Sequence, residues 1–430
     1  ARGQPVEQVA RRGRLAGGSP DAGGSCMQSK VKSYSAKVIE LLSHKARTRL
    51  IILSLLFIAA LGLRVYHINQ PPLDFQPIRQ YRSAIIARGY YFETLRSMPD
   101  WQREVAIVNK EKEGILEPPI MELLAFTSYR IVGAEHLWIP RMLSVMFWLG
   151  GGIFLYALTR DVVSSHAAFF STAFYLFIPF GVSASRSFQP DPLMIFAFIA
   201  SIFSISRYHV QPSRSRLATA AAMSAFAIFV KPICLFAIIA TFISANVSRQ
   251  GIRKTALSPS LALFGAASLL PTTLFYLYGL FIAGFLNDQA GMSFIPGLYF
   301  SQDYWLGWLN QINSVVGYVA MITALLGLLL FREGLPRALL VGLWIGYAIF
   351  GLTFNYHIHT HNYYQLQLIP IVALSIAPIC ILISNGLVQA CTKWRWRLTM
   401  LGVVLFASLL YIREVRWRLG SQDPRQVTMA

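Results

Sequence analysis

Runs of about 15 to 25 apolar residues recur along this chain, and the short loops between them carry most of its arginine and lysine. A backbone that enters hydrocarbon must bond its own N–H and C=O groups, so runs of this length read as membrane-spanning helices. The expectation is an all-α polytopic membrane protein of about eleven transmembrane helices, with juxtamembrane helices in the first outer loop. Composition agrees: of 430 residues, 55% are hydrophobic and 13% charged, which a soluble fold would have to leave partly in water. The net charge of +19 sits in the loops, where membrane lipids with anionic head groups attract it, and no nucleic-acid partner is needed to account for it. Cys26, Cys234, Cys380 and Cys391 lack the spacing of a disulfide frame or a metal site.

Orientation follows from the cationic flank Lys37, Lys45, Arg47 and Arg49, which keeps the N-terminus cytoplasmic. Residues 1–49 read as a basic, partly disordered arm without a secretory signal, with Met27 as an alternative start. Residues 50–412 form the transmembrane domain, and 67–138 its outer juxtamembrane loop. Crossings are expected at 50–66, 139–159, 167–184, 193–207, 217–230, 233–247, 261–285, 314–331, 338–354, 366–384 and 398–412. Residues 120–132, with Glu122 and Arg130, are too short to cross and read as a surface helix. The tail 413–430 reads as the start of a truncated outer domain, although its arginines favour the opposite side. This topology puts the loop around Asp74, the Pro190-Asp191-Pro192 turn, an elbow at Lys231-Pro232 and the segment 355–364 on one non-cytoplasmic face. A lysine at such an elbow is expensive unless it meets water or an anion.

Several short motifs carry a resemblance. They are the 74–88 loop and helix, Glu117-Pro118-Pro119-Ile120, Pro140-Arg141-Met142-Leu143-Ser144, Gln189-Pro190-Asp191, Val230-Lys231-Pro232, and 361–370 with His361, Tyr363, Tyr364 and Pro370. In order and sidedness the chain from 50 to 384 resembles family 39 of the GT-C superfamily of membrane glycosyltransferases. That family includes protein O-mannosyltransferases and the lipid A aminoarabinose transferase. The resemblance implies a sugar taken from a polyprenyl-phosphate donor and passed by inverting displacement to a lipid, glycan or protein acceptor, at the outer face of the plasma (inner) membrane. The family's adjacent Asp-Glu pair is absent: Arg79-Gln80 hold its place, and Asp74 lies upstream across the Phe75-Gln76-Pro77 turn.

Within that frame, a carboxylate must take the acceptor's proton and cations must receive the departing phosphate. Asp74 is the candidate base, or else a cap of the following helix. Asp191 orients the acceptor, binds a metal, or caps the span that follows. Arg79, Arg88, Arg141 and Lys231 are candidate phosphate ligands, with snorkelling as the other reading of Arg141. Gln80, Glu117, His361, Tyr363 and Tyr364 are assigned to substrate, while Arg82 and Arg96 are expected to face solvent or head groups. His357, His359 and His361 alternate, so an extended segment would put them on one side. No acid completes a zinc site there, so no metal ligands are assigned, and a divalent cation at the acids stays open. The aromatics in 287–313 form an interfacial belt or a lid. The rival to a transferase is a transporter or flippase for a lipid-linked or anionic substrate.

Overall fold

The computed structural model describes residues 47–286, 294–390, 411–416 and 419. The expectations for the arm and its start, for Lys37 and Lys45, for Cys26 and Cys391, for most of the 398–412 span and for most of the tail lie outside the described residues. Contacts divide the chain into two units, 1–55 and 56–430. In the first, Leu50, Ile51, Ile52 and Leu55 stand exposed on the opening turns of a helix that begins at Arg47.

In chain order that helix, α1 (Arg47–Val65), is followed by three shorter ones: α2 (Pro77–Thr94), α3 (Asp100–Glu113) and α4 (Ile120–Val132). Next come α5 (Trp138–Val162), α6 (Ser165–Phe177), α7 (Pro179–Ala184), α8 (Asp191–Val210) and α9 (Arg214–Val230). The second half holds α10 (Leu235–Gln250), α11 (Ile252–Ala256), α12 (Pro259–Leu277), α13 (Gln302–Val315) and α14 (Tyr318–Leu329). It closes with α15 (Leu335–Thr353), α16 (Asn355–Thr360), α17 (Leu368–Ser375) and α18 (Ala377–Ala390). No strand occurs among the described residues.

Among the described residues, 6 helices are long and apolar enough to cross a membrane, or up to 8 if each bent pair is one span. The protein is thus an integral membrane protein. The difference from the expected crossings has local causes. The run 167–184 breaks at Ile178, because Pro179 has no N–H to donate and pushes the residue before it into extended geometry (φ −59, ψ 126). α9 has 17 residues, about 26 Å of helix, which is short for the hydrocarbon core. α13 and α14 meet at 93°, which turns α13 away from the span direction.

Packing follows the small residues. α8, the most enclosed span with 78% of its window buried, packs on α5 and α9. α10 packs on α15, where a Cβ added at Gly342 or Gly346 would overlap the backbone of Thr241 or Ala237. Small residues four apart on both helices let the two backbones approach closely. The juxtamembrane helices pack together, α2 against α3 and α4. Ser83 on α2 donates to the buried Glu122 of α4 at 2.6 Å, and burial raises that carboxyl's pKa above its ordinary range. Arg82 does not face solvent: its Nη2 donates to the carbonyls of Glu113 (2.9 Å) and Gly114 (2.8 Å), closing the end of α3 where Gly114 turns to φ 61.

Candidate active site

The elbow expected at Lys231 is present. α9 stops at Val230, Lys231 takes extended geometry (φ −158, ψ 116), and a 3-10 turn, Pro232–Cys234, leads into α10. Pro232 forces the break, and the break leaves the lysine on no helix face. Its ammonium, almost fully buried, donates to Asp191 Oδ1 at 2.8 Å and lies 3.7 Å from Glu117 Oε1. Arg79, near the start of α2, pairs with Glu117 at 3.1 Å. Two cations and two carboxylates from four separate stretches therefore form one chain: Arg79, Glu117, Lys231, Asp191.

Two tyrosines cover this chain. Tyr363 presents its ring 5.0 Å from the Arg79 guanidinium and 5.1 Å from the Lys231 ammonium, and the Tyr364 ring lies 5.2 Å from Lys231. An aromatic face attracts a cation without neutralising it, so the cations keep capacity for an anion. His357 stacks on Tyr364 (4.9 Å, 4°), and His361 lies 5.5 Å from Tyr363. Burial first, then each other's charge, sets Arg79 and Glu117 apart from their ordinary values. Burial alone would lower Arg79, but Glu117 and Asp191 raise it; burial alone would raise Glu117, but Arg79 and Lys231 lower it. Both stay ionised. Burial and the neighbouring cations push His361 down and His357 to about 4, so the imidazoles beside the site are neutral at pH 7.

Asp74 belongs to a second cluster. Arg141 donates to its Oδ2 at 2.7 Å, and Arg186 stands 3.0 Å from the same oxygen as an ion pair without hydrogen-bond alignment. The two arginines also gather the 66–70 turn: Arg141 Nη1 bonds the carbonyls of Ile68 and Gln70 at 2.8 Å, and Arg186 bonds those of Tyr66 (2.6 Å) and His67 (3.0 Å). His67, at φ 56, is held in the left-handed region by this clamp. Arg141 is thus buried in ion pairs and carbonyl contacts and does not snorkel. Gln80 joins the two clusters. Its Nε2 donates to the carbonyls of Pro72 (3.1 Å) and Phe75 (2.6 Å), while its Oε1 accepts from the Phe188 amide at 2.9 Å, close to Asp191 in sequence.

The structure thus brings together Arg79, Glu117, Asp191, Lys231, His361, Tyr363 and Tyr364. It sets Asp74 and Arg141 apart in the arginine clamp, ties up both ends of Gln80 within the chain, and leaves Arg88 elsewhere: half-exposed, it pairs with Glu135 at 2.9 Å. Neither aspartate caps a helix with its side chain. The N-cap of α2 is Gln76 and that of α8 is Pro190, both without a side-chain cap bond. The histidines do not share one side, because 355–360 is helical. Two residues on, a helix has turned about 200°, so the His359 ring meets Tyr304 while His357 and His361, four apart, come together at 5.7 Å. Among the described residues no group of 3 or more His, Cys, Asp or Glu gathers as a metal site.

Arg186 was not singled out by sequence reasoning as a site residue. Nor was Arg64, fully buried inside the first apolar run, where it donates to Ser185 Oγ at 2.6 Å and to the carbonyls of Ala60 and Leu176. An arginine within a membrane span was the available signal.

The dolichyl-phosphate-mannose-protein mannosyltransferase family profile matches residues 116–278, a stretch that holds Glu117, Arg141, Asp191 and Lys231. No curated protein sequence matches the chain. Two solved structures of ArnT from Cupriavidus metallidurans are similar. The apo form has a TM-score of 0.53 at 17% identity over 85% of this chain and 73% of that one. The form bound to undecaprenyl phosphate has a TM-score of 0.51 at 16% identity over 86% and 73%. An oligosaccharyltransferase from Archaeoglobus fulgidus gives a TM-score of 0.50 at 14% identity, covering 87% of this chain and 56% of that one, so the chain spans little more than half its length.

Proposed function

We propose that this chain, which has the fold of the GT-C superfamily of membrane glycosyltransferases, transfers a sugar from a polyprenyl-phosphate donor to a hydroxyl-bearing acceptor. The observation that carries the reading is the buried chain Arg79–Glu117–Lys231–Asp191 beneath two tyrosine faces. A phosphate oxygen can displace a carboxylate from Arg79 or Lys231 and meet two fixed cations in a low-dielectric setting, where such charge is most effective. The undecaprenyl phosphate bound by the similar ArnT supports this class of donor.

The step is a single displacement. The acceptor oxygen attacks the anomeric carbon as the bond from that carbon to the phosphate oxygen breaks, and the electron pair leaves with the polyprenyl phosphate. The proton goes to a carboxylate. Asp191 is the better-placed base, because it stands against Lys231, the cation assigned to the phosphate, whereas Asp74 is held between Arg141 and Arg186 in the separate clamp. Asp74 positions the first loop. The site faces the non-cytoplasmic side in the orientation set by the basic N-terminal flank, and a bacterial-type plasma membrane is its setting.

The test is turnover of labelled polyprenyl-phosphate sugars by the purified protein in lipid. Transfer or sugar release, lost in Asp191→Asn and Lys231→Met, is the expected result. Uptake of the lipid-linked sugar into vesicles without cleavage would replace the transferase with a flippase. Assays with and without a chelator decide whether a divalent cation joins Arg79 and Lys231 in receiving the phosphate.

A further inference from the structure

Buried polar atoms are almost always hydrogen-bonded, so those that are not call for an explanation. Two glutamines near the site meet this rule in full. Gln80 has both ends of its carboxamide bonded, and so does Gln365, whose Oε1 accepts from Tyr347 at 2.5 Å and whose Nε2 donates to the Ile358 carbonyl at 2.8 Å. Two other glutamines break it completely. Gln189 and Gln367 are both fully buried, and neither the Oε1 nor the Nε2 of either has a partner.

Their positions are alike. Each lies in the last turn before a helix, Gln189 just ahead of α8 and Gln367 as the residue that opens α17. Each belongs to a segment that contacts Lys231: Asp191 from the first by the 2.8 Å ion pair, Tyr363 and Tyr364 from the second by their ring faces. A third orphan, Asp191 Oδ2, falls in the same turn as Gln189. Other buried polar atoms without a partner are scattered through the helices, but these two whole carboxamides lie on the two segments that converge on the cation assigned to the donor phosphate.

We propose that Gln189 and Gln367 line the donor-sugar subsite and read the hydroxyls of a neutral, unsubstituted sugar. The inference rests on the transferase reading above. A carboxamide offers both a donor and an acceptor, which matches hydroxyl groups that do the same, and it brings no charge of its own. A site built to bond a hydroxyl rejects an analogue that lacks it far more strongly than an apolar pocket does. A sugar bearing an ammonium group would find the carboxylates Asp191 and Glu117 already held by Lys231 and Arg79.

The experiment measures kcat/KM and the thermal unfolding midpoint for the full chain and for Gln189→Met and Gln367→Met. The donors are polyprenyl phosphates carrying mannose, glucose or an amino-substituted pentose. Methionine keeps the shape and removes the hydrogen bonds, so an orphan amide with no ligand would be replaced at no cost or with a gain in stability. The expected result is a fall of about 10- to 100-fold in kcat/KM for the neutral donors with an unchanged or raised midpoint. Unchanged kcat/KM with a raised midpoint overturns the inference while the transferase reading stands, as does a wild-type preference for the amino sugar. Should a methionine variant lose its fold, Gln189→Asn, which keeps the amide but retracts it, must raise KM for the neutral donors. No turnover of any donor by the wild type removes the transferase reading and this inference with it.

Discussion

Replacing Lys231 by methionine tests both the energetics and the chemistry of the site. The lysine and Asp191 side chains are 2% and 0% exposed and 2.8 Å apart, and Glu117 keeps Arg79 when Lys231 is lost. Asp191 has no other ion pair among the described residues, so Lys231→Met leaves a buried carboxylate uncompensated. Breaking one side of such a pair costs about 3–5 kcal/mol, whereas replacing both partners by apolar residues of similar volume is often neutral or stabilising. The double variant Lys231→Met/Asp191→Leu should therefore recover most of the stability lost by the single one. Both should lack turnover, because the single variant loses the phosphate ligand and the double variant loses the phosphate ligand and the base together. Unfolding in mixed micelles, followed as a double-mutant cycle, measures the first part, and the labelled-donor assay measures the second. A single-variant cost below about 1 kcal/mol would mean that the pair is solvated, in the range of surface pairs, and would refute the enclosed site. So would appreciable turnover by the double variant.

Three further outcomes follow from other contacts. Gly346→Leu should lower the yield of folded protein, because its side chain must displace the Ala237 backbone at a cost of about 1–3 kcal/mol or more, while Gly386→Leu, with nothing within 4 Å, should be tolerated; expression and size-exclusion profiles decide it. His357, held to about 4 by burial first and then by His361, Lys231 and Arg79, prefers its neutral form when folded, so its contribution is present above about pH 6.5 and lost as pH falls through 4; His357→Gln should flatten stability against pH in that window. Arg88→Ala should change stability by no more than about 1 kcal/mol and leave turnover intact, since its pair with Glu135 is half-exposed, whereas Asp74→Asn should destabilise the first loop by more, by leaving Arg141 and Arg186 buried without a carboxylate.

What could be read in the sequence was whatever depends on length and apolarity, and what could not was which charge meets which. The spans, the juxtamembrane helices and the elbow at Lys231 each follow from a local cause: an apolar run, a run too short to cross, a proline after a lysine. The pairing of Asp74 with Arg186 rather than with a substrate joins residues that no local rule connects. The histidine triplet divides for a related reason, since alternation implies one side only in an extended chain, and 355–360 is helical. Pairing is fixed where helices dock, and docking here is governed by residues without chemistry. α10 begins just after the Lys231 elbow, and α15 ends just before the segment that carries Tyr363 and Tyr364. Gly342 and Gly346 let those two helices touch backbone to backbone, and that contact holds the ammonium beside the two rings. The charged site thus depends on side chains that are missing, which is why a reading that looks only for acids and bases finds its members and not its arrangement.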